Sequence, residues 1–147
     1  MTKQNYTDVV YITGSTRYIG VNVAGSTVLF NDALELLGVT LDLSLSFDKH
    51  VTNIVCACTF HTRALQHIRL LLTLEAAKAV AVSIVGSRLD YCNSLLYGTA
   101  ERNFDRLQRL QNTLARVVFR APRSASAPDL LRDLHWLPVR QLSLIHI

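Results

Sequence analysis

The chain has 147 residues, half of them hydrophobic and 18% charged, with a formal net charge of +4. That suits one domain, or one small domain with an appendage, whose core would bury about 68–70% of the unfolded surface, and it excludes a disordered composition. Cys56, Cys58 and Cys92 make no disulfide framework, no signal peptide opens the chain, and the apolar run at 79–85 falls far short of the ~20 residues of a membrane span, so the reading is an intracellular, soluble protein.

Residues 6–13, YTDVVYIT, are β-branched and aromatic enough for a strand that Gly14-Ser15 ends. IGVNVAGSTVLF (19–30) follows as two short β-like runs around Gly25-Ser26, suited to a tight hairpin turn. ALELLGVTLD (33–42) supplies another strand-like segment, interrupted by Gly38. These strands have no helix of their own to cover them and read as the β-edge of something larger.

After Ser46 the apolar period becomes helical, through Val51, Ile54, Val55, Cys58, Leu65, Ile68 and Leu72. Thr73 has the form of a new N-cap, with Glu75 in the first turn. The helix it opens is expected to run from Leu74 to about Tyr97. Its AVAVSIV segment (79–85) is apolar nearly all round, as for a helix at the centre of a bundle. Gly98 suits the C′ position and Thr99 the cap of a third helix, which Pro122 ends. Ser126 and Asp129 form a capping signal for a brief helix over 129–135, stopped by Pro138. The fold class expected is α+β, mostly α: a small β-hairpin edge over residues 1–45, then three long helices and a short terminal one over 46–141.

The third helix carries the charge. Residues 1–72 hold five Lys/Arg and five Asp/Glu, whereas 101–123 hold six Arg against Glu101 and Asp105, which accounts for the whole excess. At about 100° per residue, Phe104, Leu107, Leu110, Gln111, Leu114, Val117 and Val118 share one side. Arg102, Arg106, Arg109, Arg116 and Arg120 form a strip opposite, spread over ~27 Å of helix axis at ~1.5 Å per residue. The strip favours an anionic partner, most simply the phosphates of nucleic acid; an ordinary solvated face would show the same pattern. Weak, sequence-independent binding that fades with salt is the expected behaviour.

Other candidates are thinner. His50, Cys56, Cys58 and His61 invite a zinc reading, but a C-x-C pair on a helix diverges by about 200°, and only Cys58 and His61 have a chelating spacing, so no metal site is expected. Asp90 stands by itself where two-metal phosphoryl transfer needs converging carboxylates. His135 has no triad partners and reads as a core or capping histidine, and Trp136 as a packing anchor. No phosphate-loop, dinucleotide, nucleophile-elbow or zinc-protease string occurs, and no catalytic residue is assigned.

Four blocks carry a family resemblance: LLGVTLDLSLSFDKHV (36–51), SRLDYCNSLLYG (87–98), RLQRLQNTLARVVFR (106–120) and LHWLPVR (134–140). In this order and spacing they resemble the region after the catalytic core of non-LTR, LINE-type (jockey-like) retrotransposon reverse transcriptases. The pattern LQ-x-x-QN-x-x-AR falls on Leu107, Gln108, Gln111, Asn112, Ala115 and Arg116. The resemblance implies that the β-edge is the end of a palm and that Leu37, Gly38 and Val39 are primer-grip-like. It also implies that the helices form a thumb holding an RNA–DNA or DNA duplex, with the rest of the polymerase as a partner. The family's catalytic aspartates would precede residue 1, so Mg2+ would belong to that absent palm, and this chain is expected to need no cofactor and to be inactive alone. A family lysine that commonly precedes a T-E-like pair is Tyr6 here, before Thr7-Asp8. Residues 142–147, LSLIHI, resemble the translation of a sequencing-library adaptor and are expected to be foreign to the gene. Rival readings are a small helical protein-interaction module with a basic face, or an expressed remnant without function.

Overall fold

In the computed structural model, residues 8–13, 16–23, 26–29, 33–42, 44–91, 93–96 and 98–145 are described. The expectations that involve Tyr6, Thr7, Gly14-Ser15, Gly25, Cys92 and Tyr97 lie outside them. The chain divides into two compact units, one up to Leu34 and one from Glu35.

The first unit contains an antiparallel meander of β1 (Asp8–Thr13), β2 (Thr16–Val23) and β3 (Ser26–Leu29), in that order. Register pairs Thr13 with Thr16 and Val23 with Ser26.

β4 (Ala33–Leu36) and β5 (Val39–Asp42) form a two-stranded sheet. The segment expected as one interrupted strand is therefore a hairpin. Leu37 and Gly38 at its tip have φ of 49° and 78°, both in the left-handed region that a two-residue type I′ turn requires. Gly38 takes that conformation without cost, whereas Leu37 is strained by about 1–2 kcal/mol. Asp42 organises the next loop, accepting hydrogen bonds from the backbone N–H and hydroxyl of both Ser44 and Ser46 at 2.7–3.0 Å.

α1 (Asp48–Ile68) buries Val51, Cys58 and Leu65 and ends in a 3-10 turn over Arg69–Leu71. Thr73 caps α2 (Leu74–Ala81) as expected, its hydroxyl accepting from Ala76 N at 3.2 Å. α2 continues through a π-helical turn, Val82–Gly86, into α3 (Ser87–Asp90). The rod is buried on one face only: Ala77, Ala81, Val85 and Leu89 are buried while the apolar Ala79 and Val82 are exposed. It also stops earlier than its composition suggests. Tyr91 is extended, and a separate 3-10 turn, Asn93–Leu96, follows.

α4 (Glu101–Phe119) begins after Ala100, not Thr99, whose hydroxyl is buried with no hydrogen-bond partner. Its expected apolar side is the core side: Phe104, Leu107, Leu110, Gln111, Leu114 and Val118 are buried and Val117 half-buried. α5 (Ala127–Asp133) and α6 (Val139–Ile145) close the described chain, two short helices where one was expected. Ser126 precedes α5 but its side chain caps nothing, while His135, at φ 56°, takes the left-handed position after it. There His135 N donates to Arg132 O and Trp136 N to Leu131 O, both at 2.9 Å, the paired bonds of a Schellman motif. The architecture is α+β and mostly α, with the core of the second unit formed where α1, the α2–α3 rod and α4 meet.

Candidate nucleic-acid interface

α1 and α4 pack side by side in the same direction. At their starts, Asp48 is ion-paired with Arg102 and accepts from Asn103 Nδ2 at 2.9 Å. At their ends, Arg69 Nε donates to Val118 O at 2.7 Å. The two helices therefore run parallel, and the start of the arginine strip lies against the start of α1.

The five arginines are not equivalent. Arg102 lies over the first turn of α1, paired with Asp48, and Arg106 Nη2 donates to Thr52 Oγ1 at 2.9 Å one turn later. The pairing holds the Asp48 carboxyl below its usual range, first through the Arg102 hydrogen bond and then through Asn103. Arg109 is exposed. Arg116 and Arg120 sit at the far end, where they line a cleft of about 660 Å³ with Gln66, Arg69, Thr113 and Arg123. Among the described residues no carboxylate lines this cleft.

Helix ends account for part of that cluster. Arg69 is buried and also donates to Leu72 O at 2.8 Å, so it satisfies carbonyls at the ends of α1 and α4. Arg116 donates to Ala125 O at 3.2 Å, but its Nε is buried with no hydrogen-bond partner. Arg120 has φ 56°, with its N–H donating to Val117 O at 3.1 Å and Ala121 N–H to Arg116 O at 2.9 Å. It fills the Schellman position that glycine fills most cheaply. Arg69 and Arg123 were missed as site residues. Arg123 follows the helix, and nothing in the spacing of Arg69 ties it to a helix fifty residues away.

The polar residues of the LQ-x-x-QN pattern clasp the chain's own C-terminal segment. Gln108 Nε2 donates to Gln111 Oε1 and Asn112 Oδ1, both at 2.9 Å, while its Oε1 accepts from Val139 N at 3.0 Å. Gln111 Nε2 donates to Leu137 O at 2.9 Å. Two of the four resemblance blocks are thus bonded to each other.

Of the primer-grip-like residues, Leu37 and Gly38 form the hairpin tip and are exposed, and Val39 is buried. Tyr91 Oη donates to Leu37 O at 2.7 Å, and Thr40 N to His50 Nδ1 at 3.3 Å, which fixes the turn against α1 and the end of the α2–α3 rod. That bond requires an unprotonated Nδ1, and burial pushes the His50 pKa down. Cys56 is exposed and Cys58 buried, the latter with its thiol pushed up by burial and only partly offset by the Arg88 charge. Among the described residues no three His, Cys, Asp or Glu side chains could share a metal ion. No helix among them is long and apolar enough to cross a membrane.

Comparison with known proteins adds one relationship. The chain is 29% identical over 120 residues, 78% of its length, to the RNA-directed DNA polymerase from mobile element jockey of Drosophila melanogaster. It spans 13% of that polymerase. No family model matches the chain, and no solved structure does.

Proposed function

We propose that this chain, which is distantly similar to a retrotransposon RNA-directed DNA polymerase, is the template–primer gripping portion of such an enzyme. On this reading the helical region acts as a thumb, the β4–β5 turn as a primer grip, and Mg2+ and the catalytic carboxylates belong to another part of the polymerase. The supporting observation is the row of arginines on α4, whose far end gathers positive charge in a cleft with no carboxylate among the described residues. Arginine forks suit phosphate oxygens, and contacts to phosphates bind without reading sequence.

The test is a fluorescence-anisotropy titration of a labelled RNA–DNA hybrid. The chain is expected to bind it, and replacing Arg102, Arg106, Arg109, Arg116 and Arg120 with Gln is expected to abolish binding. Unchanged binding by that variant overturns the proposal.

One observation favours a second reading, that of a protein-interaction module. Phe60 is 70% exposed and Ile68 45%, both on α1, and Leu71 is 86% exposed in the turn that follows it. On the main proposal these residues meet the remainder of the polymerase. Indifference to polyanions, with a protein partner bound through those residues, would favour the module.

A further inference from the structure

The gripping proposal treats the arginines as one row, but their surroundings divide them. Arg102 has its charge answered by Asp48, and Arg106 is anchored to Thr52. At the other end of α4 the cleft holds Arg69, Arg116, Arg120 and Arg123, with no carboxylate among the described residues. Arg69 is occupied by two backbone carbonyls. Arg116 likewise donates to two backbone carbonyls, those of Asn112 and Ala125, but its Nε is buried and partnerless, an arrangement costly unless something supplies an acceptor. Arg120 keeps a strained backbone, φ 56°, where a glycine would be relaxed.

Resting on the gripping reading, we propose that this cleft is a discrete phosphate site. It takes a backbone phosphate of the bound nucleic-acid strand, with Arg116, Arg120 and Arg123 as donors and Arg69 as a positioning residue. The first half of the row contributes less, because Asp48 and Thr52 already engage it. The same donors would accept free inorganic pyrophosphate, which makes that ion a useful competitor.

The experiment compares the unmodified chain, R120Q/R123Q and R102Q/R106Q/R109Q for binding of a fluorescein-labelled RNA–DNA hybrid across a salt series. Circular dichroism melting confirms that each variant is folded. The proposal expects R120Q/R123Q to lose at least about tenfold in affinity and about one to two units of salt slope, at roughly 0.9 per phosphate contact on a DNA duplex. R102Q/R106Q/R109Q is expected to lose less, although it removes more charge. Millimolar pyrophosphate should displace the hybrid from the unmodified chain and from R102Q/R106Q/R109Q. Equal losses in the two variants, or a larger loss in R102Q/R106Q/R109Q, overturn the cleft while leaving the gripping reading intact. No binding by the unmodified chain, or no loss in either variant, overturns both. Pyrophosphate binding that leaves the hybrid in place assigns the cleft to the free ion and overturns the strand assignment.

Discussion

Arg69 donates from Nε to the carbonyl of Val118, 49 residues further along, across 2.7 Å of protein interior. Together with the Asp48–Arg102 ion pair at the opposite end, it makes α1 and α4 parallel neighbours. A parallel pair cannot be joined by a short turn, so the α2–α3 rod serves as the return connection.

Arg69→Met keeps much of the apolar stem and removes the donors, leaving the carbonyls of Val118 and Leu72 without them. Hydrogen bonds from charged donors are worth about 1.5–3 kcal/mol each, and partial rehydration lowers the sum. A loss of about 2 kcal/mol is expected, read as a melting temperature lower by roughly 4–8 °C in a chain of this size. No change in melting would show that the bond is incidental.

Gln108→Ala removes the acceptor for Val139 N and the donor to Gln111 and Asn112. About 1–2 kcal/mol of stability should be lost. The specific signature is local: the Val139 amide should exchange with solvent faster than the amides of α1. Uniform acceleration across both regions would mean that the amide cluster supports the whole core and not the C-terminal clasp.

Arg120→Gly should act in opposite directions on stability and binding. Relief of the left-handed residue is worth about 1 kcal/mol, or roughly 2–4 °C in melting temperature. Hybrid binding should weaken at the same time. A variant that melts lower would show that the arginine side chain stabilises the helix end by more than its backbone strain costs.

Acid should weaken the fold in two stages. His50 has a folded pKa below the unfolded ~6.5, so the unfolded chain binds the extra proton and stability falls as pH drops below about 6.5. Asp42, Asp48 and Glu101 have depressed folded values, held down chiefly by Ser44, Arg102 and Arg140 respectively. Their contribution is present above the unfolded range of ~4 and is lost as pH falls through the folded values. His50→Asn, which can still accept from Thr40 N but does not titrate, should remove the upper stage of a denaturant-midpoint profile and leave the lower. Persistence of the upper stage in that variant would locate it elsewhere.

Much of α4 was legible in the sequence because periodicity and burial coincide there. Phe104, Leu107, Leu110, Gln111, Leu114 and Val118 recur at helical spacing and all are buried. The Thr73 cap was readable for a similar reason, since a hydroxyl three residues before a free N–H acts locally. What stayed hidden depends on partners distant in sequence. The break at Tyr91 coincides with a hydroxyl bonded to Leu37, and the composition of 87–98 does not encode that. The β4–β5 turn places a leucine at positive φ, a residue that carries no turn signal. The cleft needs Arg69, which only the parallel packing of α1 on α4 brings beside Arg116, and the glutamines of the LQ-x-x-QN pattern gave no hint of clasping residues 137–139.

The salt dependence of hybrid binding to the unmodified chain decides whether the basic side of α4 grips nucleic acid through its phosphates. Three or more phosphate contacts predict a log–log slope steeper than about −2.5. A slope near zero, or no binding at the lowest salt, would contradict it.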